Sequence, residues 1–448
     1  MMEEKKILVI GLGLSGRAAA QFLLTRGFAV WGADRSREVL SNHPQIEILK
    51  DMGLRTFHEE DPFEMEAIDL VVVSPGVPPS NPLYQRAKQL GIELISEVEL
   101  ACRHFENPLI GITGTNGKTT TTLFLTHLLN YHGRPARALG NVGVPLISEV
   151  LEDQRSEIIV AELSSFQIDL FDYQCLEAGI ILNISPDHLD RYQTLESYAQ
   201  AKINLQRCLK PGAPMIVSEE VAQRYRDHFH CPLMTFGYNP SCAVWSDTES
   251  VYDSNEIVAT LPASLKGRRS HQLENLMAAY LLAARLMGIT AEETIKSWES
   301  FKAPPHRLQY VRQVEGITFY DDSKATNVGS VQRALESLQG PLLLLAGGRD
   351  KESNFRVWKE ALEGKVKGVF AFGEAKEKLK AELSEYCHVA TYEDLDKAFQ
   401  AACQQAQEGD SVLLSPGCAS FDQFQDYAHR GQTFQKLVNQ LCLSGAKT

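Results

Sequence analysis

The apolar run Pro108-Leu109-Ile110 leads into Gly111-Ile112-Thr113-Gly114-Thr115-Asn116-Gly117-Lys118-Thr119-Thr120, and this opens onto the helix-like Leu123-Phe124-Leu125-Thr126-His127-Leu128-Leu129. Strand, glycine loop, lysine, hydroxyl and helix in that order make a phosphate cradle. Backbone N–H groups of Gly114, Thr115, Asn116, Gly117 and Thr120 face the anion, Lys118 reaches the outer phosphates, and Thr119 can ligate Mg²⁺. The strict pattern wants a glycine where Ile112 stands, and Gly111 and Gly114 bracket the place instead, so this is a variant loop. A bland glycine-rich turn explains the glycines but not the Gly-Lys-Thr-Thr. Such a unit commits the chain to α/β architecture, a mainly parallel sheet covered by helices.

A chain of 448 residues has room for about three domains. Its 44% apolar and 23% charged residues describe an ordinary globular protein. Lys and Arg number 44 against 57 Asp and Glu, a net charge of −13, which argues against nucleic-acid or membrane-surface partners. The nine cysteines (Cys102, Cys175, Cys208, Cys231, Cys242, Cys387, Cys403, Cys418, Cys442) never form Cys-x-x-Cys, so they read as reduced thiols in a cytoplasmic protein. Lys5-Lys6 before Ile7–Ile10 is too short an apolar run for a signal segment, and no stretch approaches the roughly 18 apolar residues of a membrane span.

Three domains are expected, at 1–97, 98–303 and 304–448. The first alternates short apolar runs with helical patterns and is Rossmann-like. It carries Gly11-Leu12-Gly13-Leu14-Ser15-Gly16 after a strand, with Asp34 after the next. That pattern suits a dinucleotide fold with Asp34 on a ribose hydroxyl, and equally suits tight helix–strand packing without a ligand. Ser74-Pro75-Gly76 ends a second strand at the same edge. The central domain holds the phosphate loop, strands at 157–161, 178–184 and 214–217, and helices at 195–209 and 271–287. The turn-rich stretch 231–261 is expected to form an antiparallel patch. Ala303-Pro304-Pro305-His306 breaks the preceding helix, and a further Rossmann-like α/β pattern follows.

Several residues stand where chemistry is done. Glu162 ends the buried-strand run Ile158–Ala161, the usual place for an acid that holds Mg²⁺, although an acid there can also be a helix cap. His188, in Ser185-Pro186-Asp187-His188-Leu189-Asp190, can ligate metal, touch a phosphate or simply be solvated. Lys202 shares the helical stripe of Leu195, Tyr198, Ala199, Leu205 and Leu209, so its amine faces inward unless it snorkels out along its stem. Desolvation there would leave a nucleophilic amine. Asp322-Ser323-Lys324-Ala325-Thr326-Asn327 gathers acids, a cation and neutral polar groups after one strand, Gly347-Gly348-Arg349-Asp350-Lys351 follows another, and Ser415-Pro416-Gly417-Cys418-Ala419-Ser420-Phe421 follows the last. No nucleophile signature for acyl-enzyme chemistry is present.

The phosphate loop, Glu162-Leu163-Ser164-Ser165-Phe166-Gln167, Asp187-His188-Leu189-Asp190-Arg191-Tyr192, His306-Arg307 and Asp322–Asn327, in this order, resemble the motifs of the Mur ligases of peptidoglycan synthesis across nearly the whole chain. The resemblance implies ADP-forming amide-bond synthesis from ATP, with two Mg²⁺ ions. The expected partners are UDP-N-acetylmuramoyl-L-alanine and D-glutamate, acted on by a cytoplasmic monomer. It implies metal at Thr119 and Glu162, and a second at His188 and a carbamylated Lys202. By the same carry-over Leu14, Ser15, Asp34, Arg35, Ser74, Gly76 and Asn141 hold the UDP-linked substrate; Asn275, Arg307 and Asp322 join the loop in holding ATP; Lys324, Thr326, Lys351, Ser420 and Phe421 surround D-glutamate. A sister ligase adding another amino acid is the nearest alternative. A nicotinamide-dependent oxidoreductase leaves the phosphate loop unexplained.

Overall fold

The structure, a computed structural model, describes residues 5–150, 157–267, 269–350 and 353–444. It divides into two compact units: Met1–Ile184 with Glu196–Phe301, and Ser185–Leu195 with Lys302–Thr448. The stretch carrying His188 therefore belongs with the second unit.

The first unit contains two sheets. Strands β1 (Lys6–Ile10), β2 (Ala29–Asp34), β3 (Arg55–His58), β4 (Leu70–Val73) and β5 (Glu93–Ser96) form an all-parallel sheet in the order β3-β2-β1-β4-β5. Strand order reverses at β1, so the carboxyl ends of β1 and β4 flank a crevice of the kind that takes ligands. Gly11 and Ser74 stand at its two lips.

The second sheet has nine strands: β6 (Leu109–Thr113), β7 (Ala136–Gly140), β8 (Ile158–Glu162), β9 (Leu176–Ile181), β10 (Met215–Ser218), β11 (Leu233–Gly237), β12 (Val244–Ser246), β13 (Ser250–Asp253) and β14 (Glu256–Thr260), in the order β14-β13-β12-β11-β10-β9-β6-β8-β7. Strand β6 lies between β8 and β9, with Ile112 opposite Glu162 and Thr113 opposite Ile181. Three strand ends thus converge on the phosphate loop. The antiparallel patch expected within 231–261 is present but narrower than that stretch. Strands β11 and β12 extend the sheet in parallel, and only the β12–β13–β14 meander, which turns tightly, runs antiparallel. The helix expected over 195–209 stops at Ile203 and tightens into a 3₁₀ turn over Asn204–Cys208. The helix Lys118–Tyr131 packs against His271–Met287 through a shared apolar core that includes Leu125, Leu128, Leu276 and Leu281.

The second unit holds β15 (Gln309–Val314), β16 (Ile317–Asp321), β17 (Leu342–Gly347), β18 (Val366–Phe372), β19 (Val389–Thr391) and β20 (Ser411–Gly417) in the order β15-β16-β20-β17-β18-β19. Only β15 runs antiparallel. The late strand β20, buried along nearly its whole length, inserts between β16 and β17. The loops that leave these three strands consequently lie side by side.

Candidate active site

At the edge of the first sheet, a Cβ on Gly16 would sit 1.8 Å from the Gly11 carbonyl oxygen, so only glycine lets the helix Leu14–Thr25 approach the strand. The Asp34 carboxylate accepts the Leu12 N–H at 2.7 Å and the Ser36 N–H at 2.8 Å. The Ser74 hydroxyl donates to the Gly11 carbonyl at 2.6 Å. Asp34 and Ser74 thus shape the turn itself. Ser15 is half-buried, Arg35 and Gly76 are exposed, and Leu14 presents an apolar side chain that is 58% exposed.

The phosphate loop is held from three sides. Gly117, at φ +83°, begins the helix Lys118–Tyr131, and a Cβ there would meet the Asn275 amide oxygen at 2.6 Å. Asn275, buried, therefore lies against the loop's glycine. Asn183 accepts the Asn116 N–H at 2.9 Å through its side-chain oxygen, donates to the Asn116 carbonyl at 3.0 Å, and takes the Thr115 N–H at 2.9 Å on its own carbonyl. The Lys118 ammonium donates to the Gly114 and Thr115 carbonyls at 2.8 and 2.9 Å, while Thr119 and Thr120 stand half-buried in the first turn.

Lys202 is buried, as its place on the apolar stripe predicts. Its Nζ donates to the Gly114 carbonyl at 3.0 Å and lies 4.5 Å from the Tyr198 ring centroid. Glu162 is also buried. One of its oxygens accepts the Asn141 amide at 2.7 Å; the other has no hydrogen-bond partner among the described residues. A buried carboxylate oxygen without a donor calls for an explanation, and a hard cation supplies one. Among the described residues no group of three or more His, Cys, Asp and Glu forms a metal cage, so any ion here draws on mixed donors.

In the second unit His188 adopts a left-handed backbone, φ +54°, uncommon for a residue with a side chain and often found at functional positions. Its N–H donates to the Asp187 carboxylate, which also accepts the Asn327 amide at 2.9 Å. Asp322 is buried, accepting the Ser415 hydroxyl at 2.8 Å and the Leu308 N–H at 3.0 Å. Burial pushes its carboxyl up to about 7 against those hydrogen bonds and the nearby Arg307 charge. Next to it, Asp321 bonds His306 at 2.6 Å and the Gln435 amide at 2.7 Å. The Lys324 ammonium lies 3.9 Å from the Tyr427 ring centroid. Arg307 and Thr326 are half-buried, Ser420 is buried, and Phe421 is 62% exposed. Lys351 lies outside the described residues.

Two residues that bond the loops described above were not singled out from the sequence. Asn183 lies two residues past the apolar strand β9, where a polar residue is itself a signal. Arg430 is a lone arginine on the helix Tyr427–Ser444, and nothing local marks it.

Three successive family models match this chain: a Mur ligase MurD-like N-terminal domain over residues 5–96, a Mur ligase middle domain over 112–283, and the Mur ligase glutamate ligase domain over 306–418. The chain belongs to the Mur ligase family. Within it, the protein named UDP-N-acetylmuramoylalanine--D-glutamate ligase from Protochlamydia amoebophila is 46% identical over 98% of this chain and 98% of its own length. Proteins of the same name from Syntrophus aciditrophicus (97% of each chain) and Chlamydia pneumoniae (98% of this chain, 99% of its own) are each 36% identical. Solved structures share the fold. The UDP-N-acetylmuramate-alanine ligase MurC of Thermotoga maritima matches with a TM-score of 0.59 at 18% identity, covering 97% of this chain and 99% of its own. MurF from the same organism, solved with ADP, matches with a TM-score of 0.58 at 19% identity, covering 98% and 96%.

Proposed function

We infer that this chain is an ATP-dependent, ADP-forming ligase that joins D-glutamate to UDP-N-acetylmuramoyl-L-alanine during peptidoglycan precursor synthesis. One observation carries the reading. At the carboxyl end of a single sheet a phosphate loop meets a buried lysine bonded to that loop's own carbonyl and a buried carboxylate with one open oxygen. Relatives named for this activity, alike over almost their whole length, support it.

The chemistry has to bring an anionic carboxylate to an anionic triphosphate, so neutralising charge and aligning the partners is the main catalytic task. The γ-phosphoryl group passes from ATP to the alanyl carboxylate, giving an acyl phosphate and ADP. The D-glutamate amine then attacks the acyl carbon, and phosphate leaves from the tetrahedral intermediate with the new amide bond formed. Lys118 and the loop N–H groups of Gly114–Thr120 would hold the phosphates, with Asn275, Arg307 and Asp322 completing the ATP site. Magnesium bound at Thr119 and Glu162, with a second ion at His188 and Lys202, would screen the phosphate charges. The Lys202 amine would first react with carbon dioxide and lose a proton to become a carbamate, which turns a buried cation into an anion.

The division of labour follows the chain. Residues 1–97 would bind the UDP-linked substrate through Leu14, Ser15, Asp34, Arg35, Ser74 and Gly76, with Asn141 contributed from 98–303, the ATP-binding domain. Residues 304–448 would bind D-glutamate through Lys324, Thr326, Lys351, Ser420 and Phe421. By the same reading the enzyme would work as a cytoplasmic monomer. No helix among the described residues is long and apolar enough to cross a membrane.

Purified protein incubated with UDP-N-acetylmuramoyl-L-alanine, ATP, Mg²⁺ and a panel of amino acids tests the reading. Phosphate release that depends on D-glutamate supports it. Release with another amino acid alone moves the chain to a sister activity, and release insensitive to every amino acid rejects ligation.

A further inference from the structure

Arg430 is fully buried, and among the described residues no carboxylate accepts a hydrogen bond from its guanidinium. Its Nε donates to the Ser323 hydroxyl at 3.0 Å. One terminal nitrogen donates to the Ser323 carbonyl at 2.8 Å and the Cys418 carbonyl at 3.2 Å, and the other to the Cys418 carbonyl at 3.1 Å and, more weakly, the Gly347 carbonyl at 3.5 Å. Ser323 and Cys418 lie in the loops that leave β16 and β20, and Gly347 is the last residue of β17. A Cβ on Gly348 would come within 3.1 Å of the guanidinium, so the β17 loop is also shaped around it. The Ser323 hydroxyl passes the connection on, donating to the Tyr427 carbonyl at 2.8 Å, and the Tyr427 ring carries the Lys324 ammonium.

Burying a guanidinium on neutral acceptors is expensive, and an apolar side chain of similar volume would fill the same space at less cost. The arrangement does something an apolar residue cannot: five fixed donors set the relative position of three separate loops. It also leaves a positive charge beneath the loops that carry Lys324, Thr326 and Ser420. An amino acid with two carboxylates is the substrate that gains from both features.

We propose that Arg430 is the positioning residue of the amino-acid site, one buried fork that sets the three strand-end loops in register for a dicarboxylic amino acid. This rests on the ligase reading above. Arg430 touches no substrate and acts through Ser323, Cys418 and Gly347.

The test is steady-state kinetics of R430K and R430M with each substrate varied in turn, alongside thermal melts. Loss of charge-assisted hydrogen bonds predicts a KM for D-glutamate raised by about tenfold in R430K and further in R430M. The KM values for ATP and the UDP-linked substrate should stay within about twofold. Unchanged D-glutamate KM in folded R430M, or all three KM values rising together, overturns the proposal. Should both variants fail to fold, S323A, which removes one acceptor, decides it: a selective rise in D-glutamate KM upholds the proposal, and none overturns it. If the wild-type protein shows no amino-acid-dependent phosphate release, the ligase reading itself has failed, a result distinct from either outcome for the variants.

Discussion

The chain carries two glycine loops, each leaving a parallel strand and entering a helix, and their polar atoms are used differently. In the Gly11–Gly16 turn the neighbouring groups are engaged with the turn: Asp34 takes two backbone N–H groups and Ser74 the Gly11 carbonyl. Around the phosphate loop, by contrast, one buried oxygen of Glu162 and the buried hydroxyls of Thr113, Thr121 and Thr122 have no hydrogen-bond partner among the described residues. Glycine spacing therefore reports a close approach of helix to strand, which both loops need. Capacity to hold a charged ligand and its ion is better read from the polar atoms the protein has not used.

The comparison predicts unequal losses. Lys118→Ala should reduce kcat/KM by about a thousandfold or more, because it removes a cation from where phosphate charge develops. Lys202→Ala should lose about a hundredfold or more, and added short-chain carboxylates should restore part of the activity by supplying the missing anion. Full activity of the unrescued variant would remove the carbamate from the mechanism. Asp34→Asn keeps only one of the two acceptor oxygens that the turn uses, so its effect should be about tenfold and confined to the KM of the UDP-linked substrate. All three are read by phosphate release under saturating and limiting substrates. If Asp34→Asn proved as damaging as Lys118→Ala, with kcat collapsing, the first loop would have to be assigned a direct part in the chemistry.

Legibility in the sequence followed the same division between local and distant causes. The phosphate loop, the core strands at β6 and β17 and the buried Lys202 could be read because each depends on a contiguous pattern: an apolar run, a glycine spacing, a 3.6-residue stripe. Strands β3, β5, β7 and β19 are short, and β15 reads Gln-Tyr-Val-Arg-Gln-Val with no buried residue, so their apolar signal is weak. The turn-rich stretch 231–261 reads as one antiparallel patch because short strands and turns do not reveal whether a chain crosses over before pairing. Arg430 was invisible for a different reason. Its burial is created by loops 12 to 107 residues away in sequence, and a single arginine on an amphipathic helix reads as solvated. His188 could be named, but its left-handed backbone and its place in the second unit depend on tertiary packing.

Glu97 offers the finest test of the open-oxygen criterion, because it shares that feature with Glu162 and lies in the same unit. It is buried at the start of the helix Glu97–Cys102, accepts the Ile147 N–H at 2.8 Å on one oxygen, and has no partner on the other among the described residues. It differs in place: it directly follows the edge strand β5 of the first sheet, whereas Glu162 ends β8 beside the strand that carries the phosphate loop. Burial pushes its carboxyl from 4.5 up to about 7. A raised folded-state value means the native chain holds the proton more tightly than the unfolded one. The stabilisation is therefore complete below about pH 4.5 and is lost as pH rises to about 7. Glu97→Gln, neutral at every pH and still able to accept from Ile147, should match the wild type at pH 5 and melt about 2–4 °C higher at pH 8. Its kcat should be unchanged, whereas Glu162→Gln should lose most activity. Thermal melts at the two pH values and turnover at pH 8 check both arms. Comparable loss of turnover in the two variants would mean that an open buried carboxylate oxygen does not distinguish a metal-holding acid from a merely buried one.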